Sequence, residues 1–271
     1  MKSEMIGTYE IELVNSDGTI CEHIGEQKNL ILDEAMNFAD MYVGSPYLAI
    51  GSGVVTAPAV TDTNLGNQIA TKMIFLNAYV PVVDEGSTFL VTFRGAAEFI
   101  NVSGEISELG LRRSASGSLI TRALIKDSSG NPRPITVNAD QKLKITYSLY
   151  KRVDKLISTG ITPTPHGDLH WELVTDEGNV RVDTNHSMIP RTGGYIGGAA
   201  ASGTFNTDLP GRKVSFSFMT AAKTADRILP IGRVIATSTY SSYSFKLTQP
   251  FTIPAYYELT VDFETSWGRR L

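Results

Sequence analysis

The feature that most constrains this chain is a repetition of strand-like segments in the same order in its two halves. Glu12-Leu13-Val14, followed by Gly18, recurs as Glu172-Leu173-Val174, followed by Gly178. FLVTFRGAAEF leads to Ile106-Ser107-Glu108-Leu109-Gly110, as KVSFSFMTAAK leads to Ile228-Leu229-Pro230-Ile231-Gly232. Pro134–Val137 with Leu143–Tyr147 closes one half, and Pro250–Ile253 with Leu259–Phe263 closes the other. At 271 residues the chain has room for two domains of ordinary size. The reading is therefore mainly β: two tandem β-sandwich or barrel-like domains, 1–155 and 156–271, related by an internal repeat.

Local patterns place the elements. Asn15-Ser16-Asp17-Gly18 between β-rich runs reads as the turn of an opening hairpin. Leu32, Ala35, Met36, Ala39 and Val43 fall at helical spacing, which predicts one amphipathic helix at about 30–43, ended by Gly44-Ser45-Pro46. A short strand, Tyr47 to Ile50, follows. Beyond it, β-branched and aromatic runs alternate with turn clusters rather than with helices. Asp154 to Asp168, with Pro163 and Pro165 among Thr and Gly, reads as the boundary between domains. The second half is the shorter copy. In place of the helix it carries a glycine-rich stretch at about 188–211, expected as an extended loop or arm.

Composition excludes several classes. A net charge of -4, with no basic cluster longer than a pair such as Arg112-Arg113, argues against direct nucleic-acid binding. No run of residues has the length and apolarity of a membrane span, and MKSEMIGTYE turns polar too early for a secretory signal. The single cysteine, Cys21, rules out an intrachain disulfide, which is compatible with folding in a reducing compartment.

No catalytic, cofactor-binding or metal-ligating residue is assigned. Cys21 and His23 share one face of a strand, where a thiol beside an imidazole is in principle activated, yet a polar pair beside a hairpin is the simpler account. His166, Asp168, His170, Asp183 and His186 offer nitrogen and carboxylate ligands, but in a linker and a hairpin they read as exposed side chains. Glu10 and Glu12 alternate with Tyr9, Ile11 and Leu13 as the wet face of a strand would. Tyr240, Tyr243, Tyr256, Tyr257 and Trp267 suit a sugar-binding platform, although cores and subunit interfaces use such residues more often.

One set of short motifs occurs in a specific order. KNLI is followed by AIGSGVVTAPAVTDTNL, with Pro58, Asp62, Thr63 and Leu65 in a Pro-x-x-x-Asp-Thr-x-Leu arrangement. ISELGL, with Ile106, Glu108, Leu109 and Gly110, then precedes SGSLITRALI and LKITYSLY. Over about residues 5–152 this pattern resembles a domain of tailed-bacteriophage virion structural proteins. The resemblance implies a non-enzymatic component of a tail, baseplate, neck or collar, or capsid exterior, located in virions assembled in the host cytoplasm. The leading reading is a symmetric homo-oligomer whose partners are copies of itself and other virion proteins, with no cofactor and no small-molecule substrate. The alternative is a receptor- or glycan-binding fibre or capsid decoration module. A hydrolase built on Cys21 and His23 is the third reading.

Overall fold

The computed structural model describes residues 2–37, 45–53, 56–175, 195–196, 199–200, 202–208, 213–219, 222–230, 234–237 and 243–269. Among the described residues the protein is mainly β, with one short helix. The elements are β1 (Lys2–Val14), β2 (Ile20–Ile31), α1 (Asp33–Asn37), β3 (Tyr47–Gly51), β4 (Gln68–Met73), β5 (Asn77–Asp84), β6 (Thr88–Phe99), β7 (Gly104–Ile106), β8 (Glu108–Arg112), β9 (Thr121–Leu124), β10 (Ile135–Val137) and β11 (Lys142–Asp154). They continue with β12 (Leu156–Thr164), β13 (Gly167–Thr175), β14 (Tyr195–Ile196), β15 (Ala199–Ala200), β16 (Ser202–Asp208), β17 (Lys213–Met219), β18 (Arg227–Leu229), β19 (Val234–Thr237), β20 (Tyr243–Leu247), β21 (Phe251–Ile253) and β22 (Thr260–Arg269).

The opening hairpin forms where its turn chemistry predicts. Gly18 takes φ +87°, a region that a side chain disfavours, and its N–H donates to the Asn15 carbonyl. The Asp17 carboxylate accepts from the Thr19 N–H at 2.9 Å and from its hydroxyl at 2.6 Å. β1 and β2 then pair antiparallel from Val14↔Ile20 back to Gly7↔Asn29.

Two compact units are distinguished by their internal contacts. One comprises residues 4–79, 92–151 and 269–271, the other 1–3, 80–91 and 152–268. In the first, hydrogen-bonded neighbours follow the order β6-β11-β1-β2-β9-β8-β3-β4, and β5, of which only residues 77–79 belong to this unit, pairs with β6. β7 and β10 form a separate pair.

Alternation explains the core of this unit. Tyr9, Ile11 and Leu13 of β1, and Leu143, Ile145, Tyr147 and Leu149 of β11, are buried at every second position, and Phe93, Ala97 and Phe99 of β6 keep the same phase around the half-buried Gly95. Each large side chain so buried contributes about 1.5–3 kcal/mol. The buried Tyr9 hydroxyl is satisfied by the Leu124 carbonyl and by Gln27, each at 2.7 Å. Burial pushes the Tyr147 phenol up to about 12, partly offset by its hydrogen bonds to Thr121 and Asn29.

In the second unit β12, β13, β20 and β19 form one four-stranded sheet, β16-β17-β22 are consecutive neighbours, and β14–β15 and β18–β21 are pairs. Leu169, Leu173, Phe245, Leu247, Phe251 and Ile253 are buried. Trp171 stacks on Phe245 with ring centroids 5.3 Å apart. Its indole N–H reaches the Thr162 hydroxyl at 3.0 Å. Arg152 grips Glu85 with two hydrogen bonds of 2.7 and 2.8 Å.

The structure departs from the sequence reading in four places. The helix begins at Asp33 rather than near 30, because Leu30 and Ile31 end β2 and pair with Arg122 and Thr121 of β9. It is described as far as Asn37, and 38–44 lie outside the described residues. The Thr/Pro stretch 154–168 is not an open linker: Leu156–Thr164 pairs with β13 through Pro163↔Asp168 out to Thr164↔Gly167, and Pro165 falls in the turn. Within the expected glycine-rich loop, Ser202–Asp208 is a strand paired over its whole length with Lys213–Met219. Tyr195–Ile196 pairs with Ala199–Ala200, and the rest of that stretch lies outside the described residues. Finally, β10 pairs with β7, and β21 with β18, rather than each with the strand that follows it.

Candidate functional site

The motif residues converge on one place in the first unit. Residues 56–67 form an irregular strap anchored to strands at several points. The Asp33 N–H donates to the Val60 carbonyl at 2.8 Å, and the Leu119 N–H to the Thr63 carbonyl at 2.9 Å. Leu65 inserts into a cluster of Leu32, Ala49 and Leu119, with Leu30 at its border. Asn67 closes the strap through its carbonyl to the Ser52 N–H and its side chain to the Ser52 hydroxyl.

A buried arginine fastens the strap. Arg122 of β9 directs Nε and Nη2 to Glu108 Oε2 at 2.9 and 2.7 Å, and Nη1 to Asp62 Oδ2 at 2.7 Å. Glu108 and Arg122 are 1% and 5% exposed. The second Glu108 oxygen accepts the Gly66 N–H at 2.5 Å, and Asp62 also accepts the Ala59 N–H at 2.8 Å. Arg112 extends the network to Asn64 and to the Gly117 carbonyl. Pro58, Asp62, Thr63 and Leu65 thus lie on the strap, and Glu108 on the strand that receives it.

The electrostatics follow from this geometry. Burial works against ionisation of Asp62, but the Arg122 hydrogen bond, the Ala59 N–H and the Arg122 charge outweigh it, leaving the carboxyl below the usual range. Arg122 is raised in the same way, its burial overcome by hydrogen bonds to Asp62 and Glu108 and by their charges. A depressed carboxyl pKa contributes stability above the unfolded value, which is lost as pH falls through the folded value. Wild type is therefore expected to be more stable than Asp62→Asn at neutral pH, with the gap closing as pH drops below about 4. Urea unfolding at a series of pH values measures this, and a pH-independent gap contradicts it. Chemically the cluster is a fastening: each of its carboxylates is held by hydrogen bonds from the arginine and from backbone.

Beside the clasp lies an open cavity of about 300 Å³, walled by Ile6, Leu30, Pro58 and Leu124, with Lys28 and Lys126 among its lining residues. Sequence reading missed both the pocket and Arg122. The available signal was a lone cation in the apolar run SLITRALI, since a charge in a buried strand needs a partner.

The other residues singled out from the sequence are dispersed. Cys21 is exposed, donates to the Leu13 carbonyl and accepts from Gln141, each at 3.3 Å, and makes no hydrogen bond to His23. His23 stands opposite Glu12 in the hairpin. The Glu12 carboxyl is lowered by its hydrogen bond to Lys144, and Glu10 pairs with Arg94 at 2.9 Å. Both carboxylates thus belong to a solvated strand face. His166 lies in the β12–β13 turn against Tyr257, and His170 stands opposite Ile161. Asp183 and His186 lie outside the described residues, as does Tyr240, while Tyr243 opens β20 and Trp267 belongs to β22. Among the described residues there is no metal-holding group of three or more His, Cys, Asp or Glu, and no helix is long and apolar enough to cross a membrane. Compared with family models, curated proteins and solved structures, the chain matches none.

Proposed function

We propose that this protein is a structural component of a tailed-phage virion, tail- or neck/collar-associated, which assembles as a symmetric homo-oligomer of chains built from one β-rich design used twice. The observation that carries the reading is the clasp. The motif residues behind the phage resemblance are not scattered. Asp62, Thr63, Leu65 and Glu108 make the contacts that bind the strap to the sheet, so the motif behaves as one structural unit.

The order of strand pairing supports the twofold design. β1–β2, β2–β9, β8–β9, β3–β4, β5–β6, β6–β11 and β7–β10 have counterparts in β12–β13, β13–β20, β19–β20, β14–β15, β16–β17, β17–β22 and β18–β21. Each counterpart lies eleven strands further on. On this reading the second domain starts with β12 at Leu156, in line with a boundary at 155/156. The Glu-Leu-Val match then relates strands at different positions, β1 and β13. Ile106 corresponds to Leu229 rather than Ile228, because Ile106 pairs with Ile135 as Leu229 pairs with Phe251, whereas Ile228 is 73% exposed.

The test is immunogold labelling of intact phage particles with antibody to the purified chain, combined with the mass of the purified assembly. Labelling at a symmetric position supports the reading, and particles that carry no copy of the chain refute it. A glycan-binding fibre or decoration module is the second reading, favoured by the solvent-facing Tyr256 and Tyr257. Saturable binding of the full chain on a glycan array selects it.

A further inference from the structure

The pocket beside the clasp shares Leu30, Pro58 and Arg122 with the strap and its anchorage, while Lys28 and Lys126 take no part in the fastening. Its walls are apolar, and Lys28 and Lys126 are its exposed charged groups. Neither ammonium has an ion-pair or hydrogen-bond partner among the described residues, and no carboxylate lines the pocket. Such a site suits an apolar side chain next to a carboxylate. It is also open to solvent, whereas small-molecule sites bury most of their ligand. A side chain whose far side is covered by its own protein fits it better.

The second unit carries a loop of that chemistry. Tyr256 is 74% exposed and takes φ +65°, a left-handed conformation that costs a residue with a side chain about 1–2 kcal/mol. The conformation is held in place. The Tyr256 N–H donates to the Lys223 carbonyl at 2.7 Å, and the Ala255 N–H donates to Asp226 Oδ1 at 2.8 Å. Tyr257 is braced edge-on by His166, with ring centroids 4.2 Å apart. Glu258, exposed, comes next and has no partner among the described residues. Backbone strain that presents an aromatic side chain to water points to a functional surface.

We infer that the Tyr256–Glu258 loop of one copy docks in the Lys28/Lys126 pocket of a second copy. The tyrosine packs on Ile6, Leu30 and Leu124, and the Glu258 carboxylate meets the lysine rim. Aromatic anchors in pockets dominate the energetics of many interfaces. Because loop and pocket are different surfaces, the contact is heterologous, and repeating it builds a ring or a filament. The inference rests on the homo-oligomeric reading above and supplies its contact.

Sedimentation velocity of the full chain over a range of concentrations tests it. Wild type is expected to associate, more weakly at high salt. Lys28→Glu/Lys126→Glu and, separately, Glu258→Lys are each expected to weaken association about tenfold or more. Tyr256→Ser is expected to do the same without a charge change. All the altered side chains are exposed, and unchanged circular dichroism melts check that the variants fold. Mixing the pocket variant with Glu258→Lys restores opposite charges at every contact, and association is expected to return. If wild type associates and the variants match it, or if mixing restores nothing, the docking site is wrong while the homo-oligomer stands. A wild type that stays monomeric at every concentration overturns both.

Discussion

Replacing Arg122 by methionine is expected to destabilise the protein by about 3–5 kcal/mol, the cost of leaving a buried charge without its partner. Glu108 is almost fully buried and would keep only the Gly66 N–H, while Asp62 would keep the Ala59 N–H. The loss extends beyond the ion pair. Asp62 is the strap's side-chain tether to β9, so freeing it loosens the backbone that seats Leu65 among Leu32, Ala49 and Leu119. Urea unfolding measures the change directly. Combining Glu108→Leu with Arg122→Met is expected to recover part of the loss, since well-packed apolar residues replace a buried pair at little cost. An Arg122→Met protein within about 0.5 kcal/mol of wild type, the range of ordinary surface substitutions, would show that the clasp fastens nothing.

The same clasp shows what a sequence reveals and what it hides. The Asn15–Gly18 turn was legible because its determinants are local: Asp17 reaches Thr19, and Gly18 supplies the positive φ. The strands of the core were legible because alternation at every second residue is itself the packing instruction. Leu30 and Ile31 misled, since an apolar pair before Leu32, Ala35 and Met36 fits a helical period equally well. Only their pairing with Arg122 and Thr121, far along the chain, makes them strand. The Pro163/Pro165 stretch misled for a related reason. Its β-branched residues pair with β13, and Pro163 is tolerated one position from the end of β12. For the site, Asp62, Leu65, Glu108 and Gly110 stood out as a motif, but their partners did not. Arg122 carries no local mark of its bonds to Asp62 and Glu108, and the pocket is assembled from four separate segments of chain.

Gly110 gives the second large expected effect, because it lets β8 and β9 approach where the clasp is built. Ala49 of β3 lies opposite Gly110 on one side of β8, and Leu109 and Glu108 pair with Ala123 and Leu124 of β9 on the other. A Cβ at Gly110 would fall on the Thr121 carbonyl oxygen and within 2.9 Å of the Leu119 side chain. Leucine can rotate away, but a backbone oxygen moves only with its strand, and Thr121 immediately precedes Arg122. Gly110→Ala is therefore expected to cost about 3 kcal/mol, the upper end for an overpacked core. It is also expected to displace the arginine from Glu108. The two substitutions should then act on one structure, so Gly110→Ala combined with Arg122→Met should cost less than the sum of the separate losses. Strict additivity in urea unfolding would mean that the glycine serves only local packing and has no part in positioning the clasp.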